Sequence, residues 1–266
     1  MTKCIEVKDI KIGEGIPKIC VPIVGRTITG IFAQAKKIAA KSPDLIEWRG
    51  DFFEDIMDFT KVVEVMAVIT EKIAPIPLIF TFRTKGEGGE RAIATTDYTD
   101  LNLYVAKKGL ADFIDVEIFF DESKSGELIA AIQREGKRVV ASNHHFDKTP
   151  SQPEIIKILQ KMDDLNADIL KIAVMPNVVA DPEILQDTTI KMKAQTIKPL
   201  IAIAMGELGM PTRIAGEVFG SAVTFACVDE GSAPGQIEID ELRKYLNDVH
   251  ERLQNDLAES SLFKIE

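Results

Sequence analysis

Cysteine is scarce. Cys4, Cys20 and Cys227 are odd in number and far apart in 266 residues. They form no CxxC pair and no zinc-ligand spacing, which excludes a disulfide framework and leaves reduced thiols in a cytoplasmic protein as the expectation. Histidine is equally rare, at three. There is no HxH or HExxH, and two adjacent histidines in an extended run point to opposite faces, so no metal site is expected. No stretch approaches the roughly 20 apolar residues of a membrane span, and the opening MTKCIEVKDIKIGEG has no apolar signal core. No β-rich run is followed by GxGxxG, and no Walker loop occurs, so nucleotide fingerprints are missing. Acidic residues outnumber basic ones 42 to 32, and the net charge of -10 argues against a nucleic-acid partner. No Pro/Gly/Ser linker or low-complexity run divides the chain.

What is present is alternation. Apolar residues make up 45% of the chain. Short β-rich runs recur at Ile19–Val24, Leu45–Arg49, Pro77–Arg83, Phe113–Ile118, Arg138–His144, Asp168–Val174, Pro199–Met205 and Val223–Val228. Segments of helical period lie between them. Ile28, Ile31, Phe32, Ala35, Ile38 and Ala39 form one stripe. Others run from Val62 to Ile73, from Ile155 to Leu165 and from Leu242 to Leu253. Parallel strands need crossover connections, so the class is α/β. Eight such units in about 240 residues fit a single (β/α)8 TIM barrel spanning 1–266 better than an open doubly wound sheet. Residues 1–18 read as an extension in which Cys4–Gly15 forms a hairpin closing the barrel bottom, and 255–266 as a polar tail.

Barrel active sites sit at the C-terminal ends of the strands. The polar residues there are the candidates. Glu47 and Arg49 share one face of the second strand. Arg83 ends the third, and Glu87 lies in the loop after it. His144 ends the fifth, Lys171 interrupts the apolar run ILKIAVM of the sixth, Arg213 follows the seventh, and GSAPGQ, with Ser232 and Gln236, follows the eighth. A lysine on an interior strand is costly unless it has a task or a partner. Desolvation and neighbouring cations free its amine as a nucleophile; pairing with a carboxylate is the structural alternative. His144 is either a proton carrier or a hydrogen-bonded strand end. Arg49, Arg83 and Arg213 suit a carboxylate ligand, or salt bridges among Glu47, Glu87 and Glu117.

Taken together, EWR at 47–49, FTFRTKGEGGE at 80–90, SNHHFDKTP at 142–150, ADILKIAVMP at 167–176, RIAGEVFGSA at 213–222 and SAPGQI at 232–237 closely resemble the class I 3-dehydroquinate dehydratases. The resemblance is collinear from residue 13 to the final helix. It implies that Lys171 forms an imine with the substrate, that His144 is the general acid and base, and that Glu87 orients His144. It implies that Arg213, Ser232 and Gln236 hold the substrate carboxylate and its neighbouring hydroxyl, and that Glu47, Arg49 and Arg83 grip the ring hydroxyls and the mouth. The implied substrate is 3-dehydroquinate, the implied product 3-dehydroshikimate by syn loss of water, and the implied setting the shikimate pathway of aromatic amino acid biosynthesis. The family implies a homodimer and no cofactor. Two positions depart from its pattern: His145 stands where relatives commonly have Asp, and Pro22 where some have Ser. The rival readings are an aldolase-like imine-forming barrel and a catalytically silent barrel.

Overall fold

The computed structural model describes residues 3–229 and 231–262, with side chains to 256. Position 230 of the loop before Gln236, and the end of the polar tail at 263–266, lie outside the described residues. Eight strands follow in order: β1 Lys18–Ile23, β2 Leu45–Arg49, β3 Leu78–Thr81, β4 Phe113–Glu117, β5 Arg138–His145, β6 Ile169–Val174, β7 Leu200–Ala204 and β8 Val223–Cys227. They pair in parallel in sequence order, and β8 pairs with β1. The ring closes between β7 and β8 through one bridge, Leu200 with Ser221, where the Ala222 N–H donates to the Leu200 carbonyl at 2.7 Å. A two-residue strand, Ile237–Glu238, extends β8 on its far side.

Helices follow each of the first six strands, at Ile28–Ala39, Phe59–Ile73, Thr95–Lys108, Ser125–Arg134, Gln152–Asp164 and Asp181–Lys193. Two short helices, Met210–Ile214 and Gly216–Phe219, follow β7, and Ile239–Leu262 ends the described chain. Local chemistry sets their starts: the Thr27 hydroxyl accepts the Gly30 N–H at 3.2 Å, and Asp58 accepts the Lys61 N–H at 3.1 Å. The helices at 95–108 and 181–193 show weak apolar periodicity because Asn102, Thr188 and Thr189 occupy buried positions. Each returns a hydrogen bond to a backbone carbonyl four residues earlier, which makes burial tolerable. No helix among the described residues is long and apolar enough to cross a membrane.

Because both faces of these strands are buried, their alternation is hidden in a continuous apolar run. The outward side chains, among them Ile46, Trp48, Phe80, Ile114, Val116, Ala141, Leu170 and Ile172, pack against the helices. The inward ones stack in layers. The lowest layer is apolar: Cys20, Leu45, Ile79, Phe113, Val140, Ile169, Ile201 and Val223, sealed from below by Ile5 and Ile12. Those two belong to an antiparallel hairpin, Ile5–Val7 with Ile10–Ile12. One layer higher stand Glu47, Thr81, Asp115, Ser142 and Lys171, and above them Arg49, Arg83, Glu117 and His144. The change from apolar to polar two residues up β2 to β6 defines the floor of the site.

Candidate active site

The Lys171 amine is buried on β6 and surrounded on three sides. Asp115 Oδ2 lies 3.3 Å away, Glu47 Oε1 3.5 Å, and the centre of the Phe225 ring 4.7 Å. The sequence alone anticipated cations beside this lysine; its nearest charged neighbours are carboxylates, the arrangement raised as its structural alternative. Asp115 and Glu47 are themselves held. Asp115 accepts from Ser142 Oγ at 2.6 Å and from Arg83 Nη2 at 2.9 Å, and Glu47 accepts from Thr81 Oγ1 at 2.9 Å. Burial opposes the charge on Asp115, but Arg83 and Lys171 outweigh it and hold the carboxyl below its ordinary range.

His144 sits one layer up on β5, its Nδ1 2.8 Å from Glu87 Oε2. Asn143 Nδ2 donates to the other oxygen of Glu87 at 2.9 Å. Glu87 ends a short 3-10 turn, Lys85–Glu87, capped by Gly88 at φ +81. The Phe146 ring lies over that glycine so closely that a Cβ there would come within 2.3 Å of it. Only glycine fits the left-handed backbone beneath the ring, and the contact ties the Glu87 turn to the end of β5. Burial, then the nearby Arg83, Lys171 and Arg49, push His144 well below its usual range, so its ring is neutral. Burial and the neighbouring Glu117 push Glu87 up, to about 8, against the opposing pull of Arg83 and Asn143.

The arginines differ. Arg49 grips Asp51 bidentately, with both bonds at 2.8 Å. Arg83 Nη1 donates to Glu117 at 2.9 Å and to Ser142 at 3.0 Å, while Nη2 serves Asp115. Arg213, buried on the helix after β7, meets no carboxylate among the described residues. Its Nη2 donates to the Pro234 carbonyl at 2.9 Å, its Nη1 to the Phe225 carbonyl at 3.4 Å, and its Nε has no partner. Burial without an anion draws it down to about 10. The loop after β8 is pinned over it. Gly206 N–H donates to Pro234 O at 3.1 Å, and Ser232 N–H donates to Gln236 Oε1 at 2.8 Å while Gln236 Nε2 returns a bond to Ser232 Oγ at 3.2 Å.

All nine residues singled out from the sequence line one cavity of about 490 Å³. Phe146, Ala173, Ile203, Met205, Phe225 and Ala233 complete its wall. His145 does not line it; strand alternation turns it outward, half-buried, with Nε2 unpartnered. Pro22 stands opposite Glu47 in the β1–β2 ladder and is also outside the cavity wall. Sequence reasoning passed over Asp51 and Asp115. The DVE alternation of β4, which places Asp115 on the same face as Glu117, was the available signal for the second.

Fold and site together define a (β/α)8 barrel with a buried lysine and a histidine–carboxylate pair at the C-terminal mouth. A family profile described as Type I 3-dehydroquinase matches residues 19–252, and the chain belongs to that family. It is 44% identical over 254 residues to the 3-dehydroquinate dehydratase of Clostridium botulinum, covering 95% of this chain and 100% of that protein. A solved type I 3-dehydroquinate dehydratase from Clostridium difficile, carrying covalently modified comenic acid, superposes with a TM-score of 0.91 at 42% identity, covering 95% of this chain and 100% of that one. The 3-dehydroquinate dehydratase structure from Geobacillus kaustophilus gives 0.91 at 35% identity, with 94% and 97% covered.

Proposed function

We propose that this chain is a 3-dehydroquinate dehydratase, a hydro-lyase that forms 3-dehydroshikimate through an imine on Lys171. The observation that carries the proposal is the shared cavity: a buried amine, a neutral histidine and one buried guanidinium with no carboxylate partner among the described residues all face it. A ketone, a proton to be moved and a carboxylate are what these three groups fit.

The Lys171 amine adds to the ketone at carbon 3. The resulting carbinolamine loses water after His144, carrying the proton that the Lys171 ammonium gives up on becoming the nucleophile, returns that proton to its hydroxyl, leaving an iminium. Electron withdrawal by the iminium acidifies carbon 2 far more than a ketone does, so His144 takes a carbon 2 proton and the electrons move into an enamine. Carbon 1 then expels its hydroxyl, protonated by the same imidazole, and the iminium re-forms. One base serving both atoms works from one face, which makes the elimination syn. Water hydrolyses the product iminium and returns the free lysine. Such proton transfers contribute typically ~10²–10⁴ in rate. Glu87 fixes the imidazole ring. Arg213 anchors the substrate carboxylate, with Ser232 and Gln236 beside it. Glu47, Arg49 and Arg83 form the wall that faces the ring hydroxyls.

We read residues 1–266 as one domain in the cytoplasm, assembled as a homodimer by family analogy, and the pathway as aromatic amino acid biosynthesis. An aldolase-like reading is not favoured, since the unpaired cation of the cavity is a single guanidinium suited to a carboxylate. The test is reduction with borohydride in the presence of 3-dehydroquinate. A mass adduct on the peptide containing Lys171, together with enone absorbance from turnover, is expected. Folded protein that gives neither refutes the proposal.

A further inference from the structure

Two carboxylates approach the Lys171 amine, and they differ in kind. Glu47 lines the cavity and faces whatever occupies it. Asp115 lies behind the lysine, fully buried and outside the cavity wall. Every contact holds it still: Ser142 Oγ on Oδ1 at 2.6 Å, Arg83 Nη2 on Oδ2 at 2.9 Å, and Lys171 Nζ on the same oxygen at 3.3 Å. Arg83 is shared with Glu117 at 2.9 Å, so Asp115 is not needed to neutralise it. One negative charge in this corner thus remains available to the lysine nitrogen.

We propose that Asp115 is the fixed counterion of the lysine iminium, a positioning residue that acts on the reaction only through Lys171. The inference rests on the imine chemistry proposed above and deepens it. When the amine condenses with a ketone, the new C=N bond forms, water leaves with the carbonyl oxygen, and the nitrogen carries one proton and one positive charge. Only the protonated imine withdraws electrons strongly enough to acidify the neighbouring carbon; the neutral imine is a poor sink. A carboxylate at about salt-bridge distance keeps that proton on the nitrogen, and opposite charge at such range moves a proton affinity by about 1–3 pH units. Glu47 lies equally near but faces the substrate. The remaining groups around the nitrogen are Arg83 and His144 above, Cys20 below on β1 and the Phe225 ring beside it. None of these offers a second fixed anion.

Cyanoborohydride reduces iminium ions and spares neutral imines, so the rate of adduct formation on Lys171 with 3-dehydroquinate, measured against pH, reports the protonated species. In the wild type the rate holds to an alkaline limit. Asp115→Asn is expected to move that limit toward acid by about 1–3 pH units while the adduct keeps its mass. Ser142→Ala removes the hydroxyl that fixes Oδ1 and also accepts from Arg83 Nη1, leaves the Asp115 charge in place, and is expected to move the limit the same way by less. An unmoved limit in Asp115→Asn, or in Ser142→Ala should the Asn variant not fold, overturns the assignment alone. A wild-type protein that traps no adduct overturns the imine chemistry itself and the assignment with it.

Discussion

The two walls of the cavity are built on opposite principles. On the wall from β2 to β5, Arg49 is matched to Asp51, Arg83 to Asp115 and Glu117, and His144 to Glu87. On the wall from β6 to β8 the side chains are Ala173, Ile203, Met205 and Phe225, and the cation beyond them, Arg213, meets no carboxylate among the described residues. The first wall is complete before any ligand arrives, so its dipoles need no rearrangement during reaction. The second is not matched in this way: among the described residues its buried guanidinium is bonded only to backbone carbonyls, an arrangement that suits an anionic ligand. Lys171 stands where the two meet. Under the proposed function, the proton transfers fall to the matched wall and the grip on the substrate carboxylate to the other.

That division can be broken in order of effect. Lys171→Ala removes the nucleophile and is expected to abolish both adduct and turnover; retained turnover at the wild-type rate sinks the imine chemistry. His144→Ala keeps the nucleophile and loses the proton carrier, so kcat should fall by ~10²–10⁴ while substrate still binds, as single-turnover kinetics would show. Arg213→Ala attacks the other wall. Loss of a charge-assisted contact worth about 1.5–3 kcal/mol should raise KM roughly 10–150-fold, and a fall confined to kcat would contradict the assigned role in recognition. The smallest effect concerns Glu87, whose folded-state pKa lies above its ordinary value because burial disfavours its charge. Its contribution to stability is present in full below about 4.5 and is lost as the pH rises through about 8. Denaturant titrations of Glu87→Gln and wild type should therefore diverge across that window in favour of the variant. Parallel curves would show that ionisation of Glu87 costs the fold nothing.

Most of the architecture was legible because eight β-rich runs alternate with helical stripes. The helices at 95–108, 125–134 and 181–193 went unread. The first and last hide buried Asn and Thr, whose local backbone bonds leave no apolar mark, whereas the middle one carries a plain stripe of Leu128, Ile129 and Ile132 that was passed over. Each strand was placed within two residues. The β3 run ends early, at Thr81, because the chain turns away into Lys85–Glu87, and β5 continues through His145. All nine polar candidates converge, since strand-end position and inward alternation decide convergence in a barrel. What stayed illegible was pairing. The sequence shows three arginines alike, and only the folded structure distinguishes two that are neutralised from one that is not. Asp115 went unread for the same reason, as its partners Arg83, Ser142 and Lys171 are remote in the chain. Asp51 went unread because it lies past the strand end, in the turn Gly50–Phe52, although its partner Arg49 is two residues away.

The seam between β7 and β8 carries a consequence of its own. Where the other neighbours share continuous ladders, here a single bridge is supplemented by side chains. Ser221 Oγ accepts the Ala202 N–H at 3.0 Å, Thr212 Oγ1 accepts the Ala204 N–H at 2.9 Å, and Arg213 reaches the Phe225 carbonyl across the gap. The ring is thus left ajar at one joint, and the guanidinium is wedged into the opening. Under the proposed function, the one joint without a ladder is also the one that holds the acid-binding cation, so substitutions there can change the acid that is gripped without touching the laddered strands β2 to β6.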